Sequence, residues 1–102
     1  MKHLTYGDKS LFVDDDAAAL LIAYTVDLAE SGDTDTVDVN AISSDGNVVT
    51  VSFILNAQSQ LIAESATGEI LGVDNESAID YVTHQLRARN SHPIPIRGDS
   101  DG

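Results

Sequence analysis

The chain has 102 residues, enough for one domain with one core, and its 42% hydrophobic content suits a folded body rather than a disordered acidic segment. Its net charge is −12, and no Lys or Arg occurs between Lys9 and Arg87, so it repels phosphate, nucleic acid and anionic membrane. The absence of cysteine excludes disulfides, thiolate metal sites, iron–sulfur clusters and cysteine nucleophiles.

The first residues, Met1 to Asp8, alternate polar and apolar side chains and contain no hydrophobic signal region. Residues 3–13 read as a hairpin. A Gly7-Asp8 turn of the II′ pattern pairs Tyr6 with Lys9 and Leu4 with Leu11, which sets Leu4, Tyr6, Leu11 and Val13 on one face. Asp14-Asp15-Asp16 opens a helix running to about Glu30. Asp14 serves as N-cap, and the next carboxylates complement the positive end of the helix dipole. Asp16, Ala19, Ala23, Asp27 and Glu30 form its outer stripe, with Leu20 and Val26 at the edges. Ala17, Ala18, Leu21, Ile22, Tyr24, Leu28 and Ala29 form the inner face, and Ser31-Gly32 supplies the stop. The apolar run Ala17 to Tyr24 is about half the length a membrane span needs.

A second hairpin follows. A three-residue loop, Ser44-Asp45-Gly46, pairs Ala41 with Val49, Val39 with Val51 and Val37 with Phe53, whereas a two-residue loop would set apolar against polar along the whole ladder. Leu61–Ser65 is another short strand, Ala66-Thr67-Gly68-Glu69 a turn, and Ile70-Leu71-Gly72-Val73 either a short strand or an apolar loop. Asp74 or Asn75 caps a second helix to about Arg89, with Ala78, Ile79, Val82 and Leu86 as its buried stripe. Pro93 and Pro95 favour an extended, mobile tail over 90–102. The expected fold is α+β: an antiparallel sheet of four to five strands, order ββαβββα, with two helices on one face, forming a single domain over 1–89.

Few residues point to chemistry. The three aspartates that open the first helix diverge in direction, so capping explains them better than a cation site does. Asp33, Asp35 and Asp38 lack the central glycine and twelfth-position glutamate of a calcium loop. His3, His84 and His92 are the only imidazoles, and no nucleophile-elbow pattern surrounds Ser31, Ser43, Ser65 or Ser77. Carboxylate pairs such as Glu64 with Glu69, or Asp74 with Asp80, are unspecific in so acidic a chain. No glycine cluster forms a phosphate loop. Arg97-Gly98-Asp99-Ser100 matches the integrin-recognition tetrapeptide and reads as coincidence without a secretion signal. Arg87, Arg89 and Arg97, with His84 and His92, make a small positive end that either complements the helix dipole or docks an acidic partner. No cofactor or metal is expected.

The sheet face away from the helices would carry His3, Thr5, Phe12, Asp38, Asn40, Ile42, Val48, Thr50, Ser52 and Ile54. Phe12, Ile42, Val48 and Ile54 make this face more apolar than solvation requires, which marks it as a partner surface. The expectation is a cytoplasmic, non-enzymatic module that binds a protein partner or a second copy of itself, with neither nucleic acid nor membrane as ligand. A nucleic-acid mimic occupying a basic DNA-binding protein is the alternative, and a small metal-dependent or acid–base enzyme ranks third.

Overall fold

A computed structural model describes residues 1–68 and 73–90. Strands β1 (Lys2–Tyr6) and β2 (Lys9–Val13) pair as the apolar alternation demands, Leu4 opposite Leu11 and Tyr6 opposite Lys9, with Gly7 at φ +61° in the turn. Helix α1 (Asp15–Ser31) begins where Asp14 accepts a hydrogen bond from the Ala17 amide (3.2 Å) and carries Asp15 and Asp16 in its first turn. It stops in a Schellman turn. Gly32 takes the left-handed conformation (φ +72°) and donates to Ala29 O, while Asp33 N donates to Leu28 O (2.9 Å).

Strands β3 (Asp35–Ser43) and β4 (Val48–Leu55) pair in the register of the three-residue loop, Val39 opposite Val51 and Val37 opposite Phe53. Ser43 N bonds Asn47 O (2.8 Å) and Gly46 sits at φ +90°, which bulges the turn. Strand β5 (Leu61–Ser65) pairs with β1, and helix α2 (Glu76–Asn90) closes the order ββαβββα. The five strands make one antiparallel sheet, β4-β3-β2-β1-β5, with both helices packed on one face. Glu69 to Gly72 and residues 91–102, with His92 and the Arg97-Gly98-Asp99 sequence, lie outside the described residues; Asn90, expected to begin the tail, ends α2 instead.

The core joins Leu4, Leu11 and Val13 to Ala17, Leu21, Tyr24 and Leu28 of α1, to Val37, Val39, Ala41, Phe53 and Leu55 of the second hairpin, and to Val82 of α2. Ala78, Ile79 and Leu86 flank Val82 half-buried. Ile22 and Ala29, expected on the inner face of α1, are half-buried too, because the helix meets a sheet on one side and only α2 beside it.

Only two residue pairs, Leu11 with Ser43 and Phe12 with Ile42, join β2 to β3. Beyond that junction the β3–β4 ladder curls back over the core. The Tyr6 ring meets Phe53 edge-on at 5.6 Å, and its hydroxyl donates to Ile54 O (2.5 Å), although the two residues lie on strands three places apart in the sheet.

The separation of β3 from β2 leaves the inner edge of β3 without a strand partner, and Asn75 fills it. Asn40 N donates to Asn75 Oδ1 (2.7 Å), while Asn75 Nδ2 donates to Asn40 O (2.8 Å) and to Asp14 Oδ1 (2.7 Å). The carboxamide thus stands in for a residue of a neighbouring strand and ties β3 to the starts of both helices. Asp74 performs the local capping instead, accepting from Glu76 N (2.9 Å). Asn75 is the one buried polar side chain among the described residues.

Candidate interaction surface

Alternation along each strand sends every second side chain to the open face of the sheet. Register then decides which of them become neighbours. Glu64 lies opposite His3, His3 opposite Phe12, Phe12 opposite Ile42 and Ile42 opposite Val48, a single row crossing all five strands. His3 Nδ1 is 3.3 Å from Glu64 Oε1, and its ring stands 5.1 Å from that of Phe12. The row is therefore polar at the β5 end and apolar towards β4, where Val48 is 59% exposed.

The structure places Phe12, Ile42 and Val48 side by side and puts Ile54 elsewhere. Ile54 is on the same face, 54% exposed, but lies six residues further along β4, about 20 Å away. Between them runs a polar ladder: Thr50 Oγ1 donates to Asn40 Oδ1 (2.8 Å) and Ser52 Oγ to Asp38 Oδ1 (2.5 Å). Ile62, 58% exposed on β5, belongs to the same face and escaped sequence reading. Its place, like the contact of His3 with Glu64, depends on β5 lying beside β1, a pairing that alternation within β5 does not specify.

Charge is distributed unequally between the two sides. The open face carries the carboxylates Asp38 and Glu64, each engaged by a neighbour. On the helix side Asp15, Asp16, Glu30, Asp33, Glu76 and Asp80 are exposed. Among the described residues the sheet face thus carries fewer exposed carboxylates than the helix side.

Several of the groups weighed above for chemistry hold the fold. Asp14 caps α1, and Asp15 meets the N-terminal ammonium at 3.1 Å. Asp35 Oδ2 accepts hydrogen bonds from the hydroxyls of both Tyr24 and Tyr81 (2.5 Å each), and Oδ1 accepts from Thr36 N (2.8 Å). Burial pushes the Asp35 carboxyl up, but these bonds and the Arg89 charge outweigh it and hold it below the usual range. The same contact, added to burial, pushes the Tyr24 phenol well above its usual value. This knot fastens the start of β3 to both helices.

Arg89 is drawn into α1: its guanidinium pairs with Asp27 and Asp33 (3.0 Å to the latter) and donates to Ser31 Oγ (2.7 Å). His84 is exposed on α2. A groove of about 330 Å³ between β3 and α2 is lined by Thr36, Val37, Asp38, Ser77, Ala78 and Tyr81, and its two titratable groups, Asp38 and Tyr81, are already hydrogen-bonded. Among the described residues no group of three His, Asp or Glu side chains is gathered closely enough to hold a metal ion. No described helix is long and apolar enough to cross a membrane.

No family model, curated protein or solved structure matches the chain.

Proposed function

We propose that the chain is a non-enzymatic interaction module of the cytoplasm that engages a protein, or a second copy of itself, through the open face of its sheet. The observation that carries this reading is the transverse row Glu64–His3–Phe12–Ile42–Val48, a band apolar over three strands on the side with fewer exposed carboxylates among the described residues. Apolar side chains contiguous across strands mark a binding surface in a way that scattered ones do not. The engagement of Asp35 and Asp14 in structural hydrogen bonds supports the non-enzymatic part of the reading, and the cysteine-free composition fits a reducing compartment.

The test is sedimentation equilibrium combined with capture from a lysate, at low salt and at about 1 M salt, where charge–charge attraction is screened. Association should survive the high salt and be lost in Ile42→Asp, whose fold is checked by circular dichroism. Association lost at high salt and indifferent to Ile42→Asp would overturn the reading. The binding surface would then move to the acidic helix layer, as a nucleic-acid mimic requires.

A further inference from the structure

The outer edge of β4 has features that neither hairpin alone explains. Asn40 turns both its backbone groups towards Asn75 and hence away from β4, so Thr50, its partner in the ladder, turns its own N–H and C=O to the outer edge. Alternation extends this to Val48, Ser52 and Ile54. The hydroxyls of Tyr6 and Ser59 on Ile54 O agree with that orientation and close the edge at its far end. Among the described residues no strand pairs with the rest. Natural edge strands are kept from pairing by lysine, proline, buried charge or short length. The eight residues Val48–Leu55 include no proline and no charged side chain.

The order of residues along this edge matches itself when reversed. In an antiparallel pairing of two copies about Val51, Val48 meets Ile54 of the second copy and Thr50 meets Ser52, apolar with apolar and hydroxyl with hydroxyl. On the other face Val49 meets Phe53 and Val51 meets Val51. The residues whose backbone groups face outward are then the ones that fall into hydrogen-bonded positions. Shifting the register by two residues would set Val48 against Ser52 and leave Ile54 opposite the turn glycine, Gly46.

We infer that the partner is a second copy of this chain, joined edge to edge through β4 in the register that sets Thr50 opposite Ser52, making one continuous ten-stranded sheet. This deepens the proposed function and rests on it for the part played by the open face. It also gives Ile54 a place: in the pair, the row that ends at Val48 in one copy continues into Ile54 of the other. The main-chain bonds come from Thr50 and Ser52, since Ile54 O is already occupied. Charge permits the approach. The strand is neutral in a chain of net charge −12, and the nearest open-face acids, the two copies of Asp38, lie at least three strand spacings apart, about 14 Å, beyond a Debye length of about 8 Å.

The full chain has no cysteine, so introduced thiols report on the register alone. Opposed residues of antiparallel strands are about 4.5–5.5 Å apart at Cα, within disulfide reach, whereas Val48 is about 20 Å from its own copy in the second chain. A chain carrying both Val48→Cys and Ile54→Cys should oxidise to a covalent dimer, and either substitution alone should not. Wild type should sediment at twice the monomer mass of 10.8 kDa in low and high salt. Ser52→Pro, which removes an outward N–H, should return it to the monomer mass, and Thr50→Lys should do the same if the proline variant does not fold.

A monomer at every concentration overturns the inference; the proposed function then stands or falls on whether partner capture depends on Ile42. A dimer that dissolves in Ile42→Asp but forms no disulfide between positions 48 and 54 also overturns the edge pairing, and it leaves the open face as the interface.

Discussion

The sheet has three edges, and they are treated differently. Strand β5 is short, five residues, and carries Glu64. The inner edge of β3 is filled by the Asn75 carboxamide. The outer edge of β4 is eight residues long, uncharged, and among the described residues covered only at Ile54. A short edge with a charge, and an edge occupied by a side chain, are both protected against pairing with another chain. Among the described residues two of the three edges are closed in these ways, and the third is the one proposed to take the strand of a second copy.

Asn75 offers the largest break in that contrast. Asn75→Leu keeps the volume but strands the N–H and C=O of Asn40, and each unsatisfied backbone group costs about 1–3 kcal/mol. A loss of about 3 kcal/mol is expected in urea unfolding. Because the exposed groups recreate an edge, the variant should also associate more than wild type in sedimentation. Asn75→Asp, which keeps an acceptor for Asn40 N but removes the donor to Asn40 O and brings a charge beside Asp14, should be destabilised as well.

The knot at Asp35 holds the start of β3, and with it the hairpin that presents the free edge, so acid should loosen that arm. A carboxyl held below its unfolded value stabilises the fold above about pH 4, where the unfolded chain is ionised, and this contribution is lost as pH falls through the lower folded value. Asp35→Asn should cost about 1–2 kcal/mol at neutral pH by weakening the bonds from Tyr24 and Tyr81. It should also flatten the acid limb of a plot of melting temperature against pH. The Tyr24 phenol works in the opposite direction: raised in the fold, its contribution is complete below about pH 10 and declines above it, and Tyr24→Phe should remove that alkaline limb.

Turn chemistry bears on the edge more modestly. Gly46 lies at φ +90° with open space where a Cβ would stand, so Gly46→Ala carries a backbone penalty alone, about 1 kcal/mol, read as a shift in the urea midpoint.

Both hairpin registers, the limits of α1 and the extent of β5 were legible in the sequence, because alternation, a capping aspartate and a stop glycine act over a few neighbouring residues. Val39 opposite Val51 follows from matching apolar parity, with no knowledge of the rest of the fold. Relations between distant segments were not legible. The placement of β5 beside β1, which brings Glu64 to His3, and the reach of Asn75 into β3 join residues 61 and 35 positions apart. Asn75 in particular reads as an ordinary cap. Its second role depends on β3 outrunning β2, and no local pattern encodes that. The open face was legible as a set of residues, but its division into a transverse row and a remote Ile54 required the order of the strands.

The smallest effect on stability belongs to the guarded edge. Glu64→Thr replaces the charge on β5 with a residue of high strand propensity and removes the exposed contact with His3, a contact worth well under 1 kcal/mol at such a site. The melting temperature should hardly move. Assembly is the sensitive measure. If charge is what separates the two outer edges, the variant gains a second free edge of five residues, and light scattering should show species larger than a dimer as β5 edges begin to pair. If β5 is protected by its shortness instead, scattering will match wild type, and the difference between the two edges is then one of length. That outcome directs the next change to β4, where Thr50→Lys supplies the missing charge without shortening the strand.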